Sequence, residues 1–191
     1  ASLMRYLEGE LKLKVNRRKS QIVGCLAINF LGHGIKTDGS LILSRSSEDR
    51  LKDKLRQITG RNRGRSFDQI IGEVNRRLQG WLHYFRYAKM KGKLQNLWSW
   101  LKHRLRCYRL KQCKRAIGIA RWLQRLGVPK NRSWTIAGSR RGWWRKAGSP
   151  AAHEGMNNNW LAEQGLIDVI STYSRLHLLK KPPSTRVRSV V

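Results

Sequence analysis

Arg61, Arg63 and Arg65 alternate with glycine and asparagine in Thr59-Gly60-Arg61-Asn62-Arg63-Gly64-Arg65. The chemistry such a loop offers is ionic: guanidinium forks match phosphate oxygens, and the helix that Ser66 opens adds a preference for anions at its N-terminus. The alternative is a solvated connector. Arg76 and Arg77 form a second basic pair, with an ordinary wet helix face as the competing account, and Arg140, Arg141 and Arg145 flank Trp143 and Trp144 in a third group. Of those two tryptophans, one can pack while the other, Trp144 in our assignment, faces a ligand. Covalent and metal chemistry fare worse. The aspartates are Asp38, Asp49, Asp53, Asp68 and Asp168, none adjacent, whereas two-metal phosphoryl transfer needs clustered carboxylates. Cys107 and Cys113, six apart on a predicted helix, turn to different faces, and His103 with Cys107 reads as a core or surface pair, so neither a catalytic residue nor a metal site is assigned.

The charge balance says what those arginines meet. With 41 Lys and Arg against 11 Asp and Glu, the net charge is +30 over 191 residues, a self-repulsion best tolerated with a polyanion bound. Between Glu73 and Glu154 there is no carboxylate but there are 21 Lys and Arg, which a solvated surface would interleave with acids. Nucleic acid is the expected partner. Eight tryptophans and 40% hydrophobic residues exclude a merely disordered basic tail. Basic residues fall on several elements rather than one amphipathic helix, which argues against a membrane surface, and no apolar run nears the roughly 20 residues that span a bilayer. Three cysteines without a disulfide spacing suit a reducing compartment, and the default location is the cytoplasm.

The elements that must position these residues centre on Ser66–Arg86. Phe67, Ile70, Ile71, Val74, Leu78, Trp81 and Phe85 make one helical stripe, with Ser66 as N-cap and Gln69 as its capping-box partner. The opposite face carries Arg76, Arg77, His83 and Arg86. Upstream, residues 1–10 read as the end of a helix that begins before Ala1, so the chain reads as a piece of a longer protein. Alternation over Leu11–Asn16 predicts a half-buried strand, Asn16–Ser20 a turn, and Ile22, Val23 and Ala27–Gly32 more β structure. Lys36–Ser40 closes a hairpin into Leu41–Leu43. A short helix with Leu51, Leu55 and Ile58 follows, capped by Ser46 or Ser47. A third helix turns Leu94, Leu97, Trp98, Leu101, Leu105 and Tyr108 inward and Lys102, Arg104, Arg106, Arg109 and Lys111 outward. A fourth holds Ile119, Trp122, Leu123 and Leu126 up to Gly127. Periodicity fades after Pro129, returns in a last helix over roughly 159–176, and leaves a flexible basic tail. The fold class is mainly α, a helical bundle preceded by a small antiparallel β segment.

Several stretches, in this order, resemble the C-terminal part of bacterial group II intron reverse transcriptases, the intron-encoded maturases. LKLKVNRRKSQIV is similar to the late palm segment, NFLGHGI to the hairpin that grips the primer, and ITGRNRGRSFDQIIGEVNRRLQGWLHYFR to the maturase-specific segment, called domain X or thumb. Its Asn-x-x-Leu-x-Gly-Trp-x-x-Tyr-Phe pattern falls on Asn75, Leu78, Gly80, Trp81, Tyr84 and Phe85. RRGWWRKAGSP and NNNWLAEQGLIDV resemble the segment after the thumb. The resemblance divides the chain into the palm edge (1–44), thumb or domain X (45–128), a basic Trp/Arg-rich segment with a final helix (129–178) and the tail (179–191).

The resemblance implies binding of structured intron RNA to assist splicing, clamping of template and primer, and contact with target DNA or an RNA–DNA hybrid. It puts Lys19 where the palm lysine approaches incoming nucleotide, although a surface turn lysine is the simpler account, and makes Phe30, Leu31 and Gly32 a primer-grip-like hairpin. Trp81, Tyr84 and Phe85 read as core rather than base-stacking groups. The family's paired Asp residues, and the Mg2+ they hold in the full-length polymerase, have no counterpart here, so this chain by itself is expected to lack polymerase activity. The competing reading is a basic RNA-scaffold protein of ribosomal type without intron specificity. Oligomeric state is not set by the sequence.

Overall fold

A computed structural model describes residues 2–16, 24 and 28–179. The first helix, α1 (Ser2–Gly9), is followed by a correction: 11–16 is not a strand. Lys12 takes a left-handed φ of 51°, and the Leu13 N–H returns to the Leu7 carbonyl at 2.9 Å, which leaves Leu11 and Leu13 exposed. Lys19, the β-prone Ile22, Val23 and Ala27, and the tail from 180 lie outside the described residues.

Three short strands, β1 (Asn29–Phe30), β2 (His33–Ile35) and β3 (Leu41–Leu43), form an antiparallel sheet in that order, with Phe30 opposite His33 and Ile35 opposite Leu41. The Lys36–Ser40 turn closes as expected, the Asp38 carboxylate accepting from the Ser40 N–H at 2.8 Å. So small a sheet needs outside support. It gets it from the Lys89 N–H, which donates to the Leu41 carbonyl at 2.7 Å, and from the Lys93 ammonium, which donates to the Leu43 carbonyl at 2.9 Å.

Helix α2 (Arg45–Ile58) is capped by Ser44, two or three residues earlier than expected, its hydroxyl accepting from the Ser47 N–H. Helix α3 (Phe67–Tyr84) has the full Ser66/Gln69 capping box and buries its stripe together with Leu82. Each such side chain contributes about 1.5–3 kcal/mol of burial. Then come α4 (Lys91–Gln112), α5 (Ala116–Arg125), α6 (Lys130–Gly138), α7 (Trp143–Ala147), α8 (Pro150–Gly155), α9 (Asn158–Glu163) and α10 (Val169–Leu178). The segment without visible period thus holds three short helices. The expected last helix is two, broken where Gly165 takes φ 82° and the Asp168 side chain caps α10.

Helix α4 runs through the middle, with α7 and α10 both packed on it. Arg106, expected outside, is instead only 5% exposed and donates from Nε to the carbonyl of Met156, which ends α8, at 2.7 Å. One buried apolar cluster joins Leu43 of the sheet to Leu176 of α10.

Candidate nucleic-acid interface

The basic loop is anchored from both sides. Arg63 pairs with Glu73 at 3.3 Å and Arg65 pairs with the other oxygen of that carboxylate, while the Arg65 carbonyl accepts from the Tyr108 hydroxyl at 2.7 Å and from Gln112 at 3.0 Å. Among the described residues Arg61 has no carboxylate partner; its guanidinium reaches the Cys107 sulfur at 3.8 Å. Burial raises the Cys107 thiol, against the lowering effect of Arg61 and Arg104. The loop, α4 and the first residue of α7 line an open cavity of about 510 Å3, with Gly60, Arg61, Asn62, Arg63, Arg104, Lys111 and Trp143 around it. Sequence reasoning placed Arg104 and Lys111 outside without assigning them to a site, yet their seven-residue spacing, two helical turns, was the available signal.

A second cavity, about 410 Å3, joins the hairpin to the thumb helix. Leu31 and Gly32 line it with Arg50, Arg77, Trp81, Tyr84 and Phe85. Of the three residues read as core, Trp81 and Phe85 are buried. Tyr84 is exposed instead, and its hydroxyl donates to the Leu31 carbonyl. Phe30 stands exposed at the hairpin's tip region.

The third group is divided. Arg141 and Arg145 share a cleft of about 650 Å3 between α6, α7 and α8 with Arg132 and Lys146, two cations not assigned from sequence, whereas Arg140 is exposed outside it. Trp143 is half-buried against the core; Trp144 is 47% exposed and packs on His103, ring centroids 4.0 Å apart, with His103 Nε2 donating to the Trp144 carbonyl at 3.0 Å. Arg65 and Arg76 are exposed but line none of these three cavities.

Of the 21 cations in the acid-free interval, three reach a carboxylate among the described residues: Lys89 to Asp38 at 3.6 Å, Lys93 to Glu48 at 3.9 Å and Arg132 to Glu154 at 2.6 Å. Cation–π stacking orders several of the others, with Arg104 over Trp100, Arg109 over Trp122 and Lys102 over Trp98; Arg56, from outside the interval, shares the Trp100 ring. Among the described residues no group of His, Cys, Asp or Glu could hold a metal ion, and no helix is long and apolar enough to cross a membrane.

The stretch from within α2 to the end of α5, with its basic loop and GW..YF helix, matches a family model over residues 49–127: group II intron, maturase-specific domain. This agrees with the resemblance to the C-terminal maturase part of a group II intron reverse transcriptase, and it implies a role in group II intron splicing with intron RNA as partner. Comparison with curated proteins finds no match. The maturase-specific domain holds the first cavity's loop and α4 walls; the hairpin and the Arg141/Arg145 cleft lie outside the matched residues.

Proposed function

We propose that this chain binds structured group II intron RNA through the basic loop, α4 and the Arg141/Arg145 cleft, stabilises the spliceable fold of that RNA, and clamps template and primer between hairpin and thumb. What carries the reading is a maturase-specific match that runs into the acid-free interval, where three of 21 cations reach a carboxylate among the described residues. Unpaired Lys and Arg neutralise phosphates and release counterions, so binding is steeply salt-dependent. The clamp is favoured by one cavity shared between Leu31, Gly32 and Arg77, which presents a cation beside the hairpin.

The test is equilibrium binding of the chain to a folded group II intron RNA and to an unrelated structured RNA of equal length, across a salt series. A preference for intron RNA that persists as salt rises supports maturase-type recognition. Equal affinities that fall together point to a general RNA scaffold. For the clamp, Arg77→Gln should weaken binding of an RNA–DNA hybrid more than binding of intron RNA; equal losses would remove it.

A further inference from the structure

The cavity between the basic loop and α4 has a composition that phosphate neutralisation alone does not explain. Three of its cations, Arg61, Arg104 and Lys111, have no carboxylate partner among the described residues, and its wall includes an aromatic ring, Trp143. Arg104 is fixed before any ligand arrives. Its Nε donates to the Thr59 hydroxyl at 2.7 Å, its Nη2 donates to the Arg56 carbonyl at 3.3 Å, and Trp100 lies under the guanidinium at 5.3 Å, which leaves Nη1 with no acceptor among the described residues. Lys111 is held by the Asn62 side chain, which ties the loop to α4 across the cavity. Burial, with Arg56 and Arg61 close by, disfavours the charge on Arg104, a repulsion that an anion would relieve. At about 510 Å3 the space falls within the range of small-ligand pockets.

We infer that this cavity receives one unpaired RNA nucleotide, its phosphate against Arg61, Arg104 and Lys111 and its base against Trp143. The inference rests on the RNA-binding reading above and adds a site to it. Trp143 packs partly on the core and carries Lys146 at 5.4 Å from its ring, yet it also lines the cavity, where a bare phosphate would not use it; a base within a duplex cannot reach it, because stacking on protein aromatics needs a base freed from its helix. Loops, bulges and ends of a structured RNA are therefore the ligands that fit.

The experiment compares the full chain with Arg61→Gln, Lys111→Gln, Trp143→Leu and Trp143→Phe on an RNA hairpin with an unpaired loop and on a blunt RNA duplex with the same number of phosphates, across a salt series. Each protein is first melted, because Trp143 also touches the core. On the hairpin, Arg61→Gln and Lys111→Gln should each flatten the plot of log affinity against log salt by roughly 0.7. Trp143→Leu should weaken binding roughly 5- to 150-fold at every salt without changing that slope, and Trp143→Phe should recover most of the loss. On the duplex all four should match the parent. Unchanged slopes and affinity on the hairpin, in proteins that melt like the parent, would overturn the site, as would equal losses on hairpin and duplex. A parent chain that binds neither RNA would instead overturn the RNA-binding reading and the cavity assignment with it.

Discussion

The Tyr84 hydroxyl donates to the Leu31 carbonyl at 3.0 Å, so the last turn of α3 holds the tip of the β1–β2 hairpin. Leu31 sits at φ 50°, and Gly32 follows at φ 80° with the Phe85 ring and Ser47 hydroxyl against its open side. The left-handed tip of a two-residue strand is unfavourable unless something outside holds it. Tyr84→Phe keeps the ring and removes the donor, and should cost about 0.5–1.5 kcal/mol in a denaturant titration, with faster amide exchange in the hairpin. Gly32→Ala should cost more, about 1–3 kcal/mol, since its Cβ would meet Ser47 and Phe85 at a backbone angle that L-residues avoid. A Gly32→Ala protein as stable as its parent would mean that the hairpin does not dock there.

Asn75, the first residue of the thumb pattern, works as a clamp. Its Nδ2 donates to the Gly165 carbonyl at 2.7 Å and its Oδ1 accepts from the Ile167 N–H at 3.2 Å, which fastens the turn between α9 and α10 to the middle of α3. Asn75→Ala strips both bonds and should lower stability by about 1–3 kcal/mol. Asn75→Asp keeps an acceptor for Ile167 but turns a carboxylate oxygen towards the Gly165 carbonyl, and should not rescue. Melting midpoints and exchange at the Ile167 amide measure both; exchange unaltered in Asn75→Ala would assign that turn's order to other contacts.

What could be read before the structure was local. The α3 stripe, its capping box and the Lys36–Ser40 turn each lie within one window of sequence, and there periodicity and side-chain chemistry agree. The Leu11–Asn16 alternation misled because alternation describes a strand only when a neighbour pairs with it; here Lys12 turns the backbone back onto α1. Five- and six-residue helices such as α7 and α8 are too short to display a 3.6-residue period, and packing on α4, α5 and α6 sets them instead. The same distance in sequence hid the site. Nothing near Asn75 announces a partner 90 residues on, and nothing near Arg61 announces Arg104, Lys111 or Trp143.

Acid should loosen the α4–α7 contact. Burial lowers His103 below its ordinary value, the Trp144 carbonyl opposes this and Arg106 adds to it; burial likewise lowers His153, followed by Arg106, His103 and Lys102. The fold therefore favours neutral imidazoles. The unfolded chain takes up these protons first, near about pH 6.5, so the stability they contribute is complete above that value and declines as pH falls through it towards the lower folded values. The melting midpoint should drop between pH 7.5 and 5, and His103→Gln should shrink the drop. An equal drop in parent and variant would assign the acid sensitivity to other groups.

Glu73 sets how much of the basic loop is available to RNA. It is the last carboxylate before the acid-free interval, and it engages Arg63 and Arg65 together. Both arginines are partly exposed, so the pairing contributes little to folding, about 1 kcal/mol or less. Its larger effect falls on binding, because a guanidinium paired with carboxylate releases fewer counterions when phosphate arrives. Glu73→Gln keeps the side chain's shape and frees both forks. It should bind RNA more tightly at low salt and steepen the salt slope by roughly 0.7–0.9 for each arginine that takes a phosphate, about a threefold change in affinity per contact between 50 and 200 mM salt. Melting should change little. If affinity and slope both stay at the parent's values, Arg63 and Arg65 serve to hold the loop against α3, and among the loop arginines phosphate contact rests with Arg61 alone.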